Sequence, residues 1–172
     1  KPLTDLGDCE VLHIGYVAGD WSTEAGYTMF IKNSDGSYQY QYFDIEREYD
    51  AEDFFYPEKT IEGENRESLI SYPITSPVPL EDCIFYTLPS TQNEYIFIAH
   101  GKDIYLMDRN SPQNGLRLYY TCKANVVDMN GRYYAGSYLC IGLDNGGVLV
   151  LNTDEAKQIE SDKEKFLWES DP

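Results

Sequence analysis

Three short polar stretches do most to limit what this chain can fold into. They are "NSDG" at Asn33–Gly36, "HGKD" at His100–Asp103 and "DNGG" at Asp144–Gly147. Each separates two runs rich in aromatic and aliphatic residues, giving hairpins over Tyr27–Asp44, Tyr95–Asp108 and Tyr138–Asn152. Asn, Asp and Gly reach positive φ at low cost, which tight hairpin turns demand. Each hairpin opens on Tyr and closes its second strand on Asp or Asn, so the pattern is a repeat.

An apolar segment precedes each hairpin: "CEVLHIGYV" (Cys9–Val17), "CIFYTL" (Cys83–Leu88) and "ANVVDM" (Ala124–Met129). Another strand-like run follows: "SLISYPI" (Ser68–Ile74), "LRLYYTC" (Leu116–Cys122) and "KFLWES" (Lys165–Ser170). A unit of four strands therefore recurs three times. The first spacing is lengthened by Glu46–Glu67, which reads as an acidic insertion. Without it the period is close to the roughly 40–50 residues of propeller blades. The expectation is one all-β domain over residues 1–172, built of repeated antiparallel sheets, propeller-like with about three blade-like units. A propeller closes with about 4–8 blades. Three units imply a longer protein, a partner that supplies the rest, or another all-β arrangement. A short helix capped by Thr153 is expected from Asp154, with Phe166–Trp168 closing the last sheet.

The run "YQYQYFD" puts Tyr38, Tyr40 and Tyr42 on one face and Gln39 and Gln41 on the other. Tyrosines more often fill interfaces within a fold than bind solutes, so packing is the expectation for this face.

The net charge of −17 opposes binding to nucleic acid or to anionic lipid. It allows a cationic partner or a metal ion, although solubility through self-repulsion is the simpler account. Cys9, Cys83, Cys122 and Cys140 are widely spaced and form no C-x-x-C. Each lies in or beside an apolar run, which favours four buried free thiols over any of the three possible pairings. His13 lies within an apolar strand and reads as a core histidine, and His100 as a turn residue. Metalloprotease, nucleophile-elbow and phosphate-loop motifs are missing from the sequence. Aligned as a calcium loop, "NSDGS" puts Ile31 and Tyr42 at ligand positions, so it is a turn. No cofactor is expected.

Three stretches carry a family resemblance. "LGDCEVLHIGYVAG" leads to "YTMFIKNSDGSYQYQYFDI", and "CIFYTLPSTQNEYIFIAHGKDIYLMDRN" contains Ala99, Gly101, Ile104, Tyr105 and Asp108 in an A-x-G-x-x-I-Y-x-x-D pattern. "LCIGLDNGGVLVLN" is the third. Together these resemble the C-terminal part of the PKD-like family of bacterial surface lipoproteins, found in gut bacteria that degrade polysaccharides. The resemblance implies a propeller-like β-structure, an exported and lipid-anchored precursor at the cell surface, and a role near glycan uptake. It brings no catalytic residues.

The function expected is that of a non-catalytic surface module that binds glycan or assists polysaccharide uptake. The alternative is a protein-interaction module in which the acidic loop meets a basic partner, and a glycoside-processing enzyme comes third. The candidate ligand-binding residues are Trp21 in "GDWSTEAG", His100 and Asp103 at the second hairpin tip, and Asn145 at the third. A Trp ring stacks on the C–H face of a sugar, and the polar side chains hydrogen-bond to its hydroxyls. These residues form one site if the loops that carry them share a rim.

Overall fold

A computed structural model describes residues 8–17, 25–45, 67–87, 95–132, 138–153 and 165–170. Twelve strands form three antiparallel sheets, each a meander of four consecutive strands. The first holds β1 (Cys9–Val17), β2 (Ala25–Asn33), β3 (Tyr38–Ile45) and β4 (Glu67–Ile74). The second holds β5 (Ile84–Thr87), β6 (Tyr95–His100), β7 (Asp103–Asp108) and β8 (Arg117–Thr121). The third holds β9 (Val126–Arg132), β10 (Tyr138–Leu143), β11 (Val148–Asn152) and β12 (Phe166–Glu169). Each apolar run read from the sequence coincides with or overlaps one strand. Two short 3-10 turns, Leu80–Asp82 and Pro112–Asn114, lie in connections. The helix expected from Asp154 falls outside the described residues.

The first and third hairpin turns share one design. Asn33 N–H donates to Ser37 O at 2.8 Å and Gly36 N–H to Asn33 O at 2.9 Å. Leu143 N–H donates to Gly147 O at 2.9 Å and Gly146 N–H to Leu143 O at 3.0 Å. Gly36 and Gly146 take φ of 85° and 86°, where a side chain would be strained. The second turn is tighter, because His100 pairs directly with Asp103.

The second sheet lies between the other two and buries both faces. Ile96, Ile98 and Met107 pack with Phe30, Tyr40 and Ile74 of the first sheet. Phe97, Ala99, Ile104 and Leu106 pack with Leu139, Ile141, Leu149 and Leu151 of the third. Burying each large apolar side chain contributes about 1.5–3 kcal/mol, so these two interfaces dominate the stability. Tyr40 is 1% exposed and tilted against Phe30, with ring centroids 5.4 Å apart. Tyr38 and Tyr42 are half-buried against the same cluster. The tyrosine face is thus packing surface, as the sequence led us to expect.

At one edge the sheets come closest through their first strands, with β1 beside β5 and β5 beside β9. Glycine permits both approaches. A Cβ at Gly15 would stand 2.3 Å from Thr87 Oγ1 and 2.7 Å from Thr87 Cβ. One at Gly131 would stand 2.8 Å from Tyr86 Cε1. The Tyr86 hydroxyl donates to Gly131 O at 2.9 Å. His13 stacks on Phe85 across the first of these contacts, with centroids 5.0 Å apart and planes 9° from parallel.

The fourth strands are braced in a second recurring way. β4 meets the Pro112–Asn114 turn of the next sheet, and Gly115 sits close under Thr75 O. β8 meets the third sheet at the corresponding place. There the Tyr119 hydroxyl donates to Asn152 O at 2.7 Å, and Lys165 Nζ donates to Tyr119 O at 2.6 Å.

Gly15→Val should destabilise the fold by about 1–3 kcal/mol through overpacking against Thr87. Gly142→Ala, whose nearest neighbour would be Val127 Cγ2 at 3.6 Å, should stay within about 0.5 kcal/mol. Urea unfolding of the two variants checks the contrast.

Candidate functional site

The hairpin turns lie at the ends of the sheets from which the inter-sheet connections leave. β4 ends at Ile74, opposite Tyr38, and β5 begins opposite Ala99, beside the second turn. Hydrogen bonds tie turns to connections. Lys32 Nζ donates to Glu81 Oε1 at 2.6 Å, and the Tyr38 hydroxyl donates to Glu81 Oε2 at 2.5 Å. Leu80 N–H in turn donates to the Tyr38 hydroxyl oxygen at 3.2 Å. Lys32, and then Tyr38, hold the Glu81 carboxyl down at about 2. The same contact with Glu81 raises the pKa of Lys32.

The second and third turns share a connection. Cys122 N–H donates to Lys102 O and Val126 N–H to Gly101 O, both at 2.8 Å. Asn125 N–H and Nδ2 donate to the two Asp144 carboxylate oxygens at 3.1 and 2.7 Å, and Asp144 N–H donates back to Asn125 O at 2.9 Å. Residues 122–126 therefore fasten one turn to the other.

His100, Asp103 and Asn145 all fall on this rim. His100 is half-buried, and Asp103 accepts from the Thr121 hydroxyl at 2.7 Å. Asn145 Oδ1 accepts from Gly147 N–H at 3.0 Å, the role Asp35 plays for Ser37 N–H in the first turn. Asp103 and Asn145 thus spend acceptors on building the turns. Trp21 lies outside the described residues. The strand ends it joins, Val17 and Ala25, are at the opposite end of the first sheet from the Asn33–Ser37 turn. The structure brings the three turn residues to one end, and the β1–β2 connection is anchored at the other. Of the insertion, Glu67 opens β4 and residues 46–66 lie outside the described residues.

Sequence reasoning missed Glu81, Asn125 and Asp144. Glu81 lies 49 residues from Lys32, and Asp144 lies 19 from Asn125. No spacing rule joins such pairs, which meet only once the sheets are stacked.

Nucleophiles and bases are quiet. His13 Nε2 lies 3.3 Å from Thr87 Oγ1, and burial lowers its pKa, so it stays neutral near pH 7. All four cysteines are free, but only Cys122 is fully buried. Cys9 and Cys83 are half-buried and Cys140 is exposed, which corrects the expectation of four buried thiols. The strand alternation that buries Leu139 and Ile141 turns Cys140 outward. Burial pushes the Cys83 and Cys122 thiols up to about 11, far from a reactive thiolate. Among the described residues no group of three or more His, Cys, Asp or Glu is arranged to hold a metal. The rim offers hydrogen-bonding groups held in place by the turns and their connections.

No protein-family profile matches the chain, and no match was found among curated proteins or solved structures.

With dilute folded protein, Cys140 should alkylate first and Cys122 last, as read by mass spectrometry of a maleimide time course. Glu81 makes a second test. A carboxyl held below its ordinary value of 4.5 adds stability above that pH, and the contribution fades as pH falls towards about 2. Glu81→Gln should lower the melting temperature near neutral pH, and the difference from the parent should vanish at the acid end of that window.

Proposed function

We propose that the three sheets are blades of a propeller-like fold and that the chain is a non-catalytic binding module whose ligand meets the rim of hairpin turns. Two recurring contacts support the blade reading. First strands adjoin through glycine at β1–β5 and β5–β9. Fourth strands are braced by the next sheet at β4 and at β8. This combination, narrow at the first strands and filled by Tyr40, Phe97 and Tyr119 further out, is the wedge a ring of blades requires.

The observation that carries the binding reading is the fastening of the second and third turns through residues 122–126. Loops on a rigid scaffold are where recognition usually resides, and this rim is rigid without being apolar. Its chemistry of amides, carboxylates, His100 and Lys102 fits a polyhydroxylated ligand, and we assign it glycan. The setting is the exported, surface-anchored one implied by the likeness to PKD-like lipoproteins. At about 0.5–1.5 kcal/mol per hydrogen bond, a single rim would hold a monosaccharide weakly and gain affinity from repeated sugar units.

Screening on a glycan array, followed by titration of the best oligosaccharide, tests this. His100→Ala combined with Lys102→Ala should abolish binding and leave folding intact. Deletion of residues 47–66 and Trp21→Ala should leave binding in place. Binding that survives the double variant but is lost on the deletion would transfer the function to the acidic segment and a protein partner. Hydrolysis of the glycan would overturn the binding reading altogether.

A further inference from the structure

An asparagine followed by glycine can rearrange without any enzyme. The backbone nitrogen after the asparagine attacks its side-chain amide, and glycine presents that nitrogen with no side chain in the way. The sequence holds three such pairs: Asn114–Gly115, Asn130–Gly131 and Asn145–Gly146. The fold treats them differently. Gly115 N–H donates to Pro112 O at 2.9 Å and Gly146 N–H to Leu143 O at 3.0 Å, so both nitrogens are tied into turns. Gly131 N–H donates instead to Oδ1 of Asn130 itself, at 2.8 Å. With a C=O bond of about 1.23 Å, Asn130 Cγ stands no more than about 4 Å from that nitrogen, close to the roughly 3–3.5 Å of a near-attack arrangement. β9 ends the third sheet beside β10, and Gly131 O accepts from the Tyr86 hydroxyl of the second sheet. The N–H and C=O of one residue in an antiparallel strand point to the same side, so the Gly131 nitrogen faces away from the β10 ladder. Asn130 is exposed, which admits water.

We propose that Asn130–Gly131 is a self-modification site, at which cyclisation and hydrolysis to isoaspartate unfasten the second sheet from the third. Gly131 N gives up its proton and attacks Asn130 Cγ. The N–Cγ bond forms as the Cγ–Nδ2 bond breaks, and Nδ2 takes up a proton and leaves as ammonia. The product is a succinimide, which water opens at either carbonyl. Opening at Cγ gives aspartate. Opening at the main-chain carbonyl leaves Gly131 N bonded to Cγ, which is isoaspartate. Nothing is oxidised or reduced, and the reaction quickens with pH because the attacking nitrogen must first be deprotonated. Isoaspartate adds a methylene to the main chain of β9 and a carboxylate to a strand that already carries Asp128. The contact with β5 has no room for the change. A Cβ at Gly131 would already stand 2.8 Å from Tyr86 Cε1, and the Tyr86 hydroxyl reaches Gly131 O across 2.9 Å. Behind this contact lies the cluster that joins the two sheets, in which Met129, Leu139 and Cys122 are buried.

Peptide mass spectrometry on the reduced chain, aged warm at mildly alkaline pH, tests the proposal. In urea the three pairs share one chemistry and should convert within about threefold of one another. In the folded protein Asn130 should convert at least about fivefold faster than Asn114 and Asn145, whose following nitrogens are held. Aged protein should then alkylate Cys122 at least about threefold faster than fresh protein, while Cys83, which packs between the first and second sheets, keeps its rate. Asn130→Gln, whose longer side chain cyclises poorly, should age with neither change. Conversion led by Asn114 or Asn145 in the folded chain would overturn the proposal. So would an Asn130 that stays intact while the unfolded chain converts, or conversion at Asn130 that leaves Cys122 as slow as before. Should Asn130→Gln fail to fold, the relative rates of the three pairs in the parent chain decide.

Discussion

Gly15 and Gly131 set how closely the three sheets approach, and most of the remaining architecture follows from that. Two sheets packed face to face ordinarily stand about 10 Å apart, the depth of two interdigitated layers of side chains. Where β1 meets β5 and β5 meets β9, Gly15 and Gly131 bring no side chain to the contact. Thr87 and Tyr86 press on bare backbone instead. Further along each sheet the large side chains of Tyr40, Phe97 and Tyr119 are buried between the sheets. The Tyr86 hydroxyl, bonded to Gly131 O, satisfies a carbonyl that this close approach would otherwise seal from water.

Much of this was legible in the sequence for a simple reason. Strands and hairpins depend on neighbours along the chain, so the turns at Asn33–Gly36, His100–Asp103 and Asp144–Gly147 announced the repeat of four strands directly. The position of the middle sheet in the stack is also written there. "YIFIA" is apolar without a break because β6 buries both faces, whereas "YQYQY" in an end sheet alternates tyrosine with glutamine. The exposure of Cys140 follows from the same alternation, once Leu139 and Ile141 are recognised as the inward pair. The candidate site was less legible. Turn residues could be named, but the clamp of Lys32 and Tyr38 on Glu81, and of Asn125 on Asp144, joins segments far apart in the chain. Such pairs follow from stacking and not from local chemistry. The grouping of Trp21 with the turn residues met a constraint of the same kind, since β1–β2 and β2–β3 connections lie at opposite ends of a meander.

The acidic balance and the quiet chemistry point the same way. The half-buried Cys83 thiol, the buried Cys122 thiol and a neutral, stacked His13 serve packing. The groups held in fixed positions at the surface are amides, carboxylates and lysines at one rim. A scaffold that rigidifies its turns through their own connections pays little ordering entropy on binding. That is the physical basis of our proposal that this end of the molecule serves recognition.

The close packing of the first strands is the claim on which everything else depends, and proton NMR measures it directly. With isotope-labelled protein, the account predicts strong nuclear Overhauser contacts from the Gly15 α-protons to the Thr87 methyl group and from the Gly131 α-protons to the Tyr86 ring. Contacts within each sheet but none between these two pairs would mean that the sheets form independently and do not stack through their first strands, which would contradict the account.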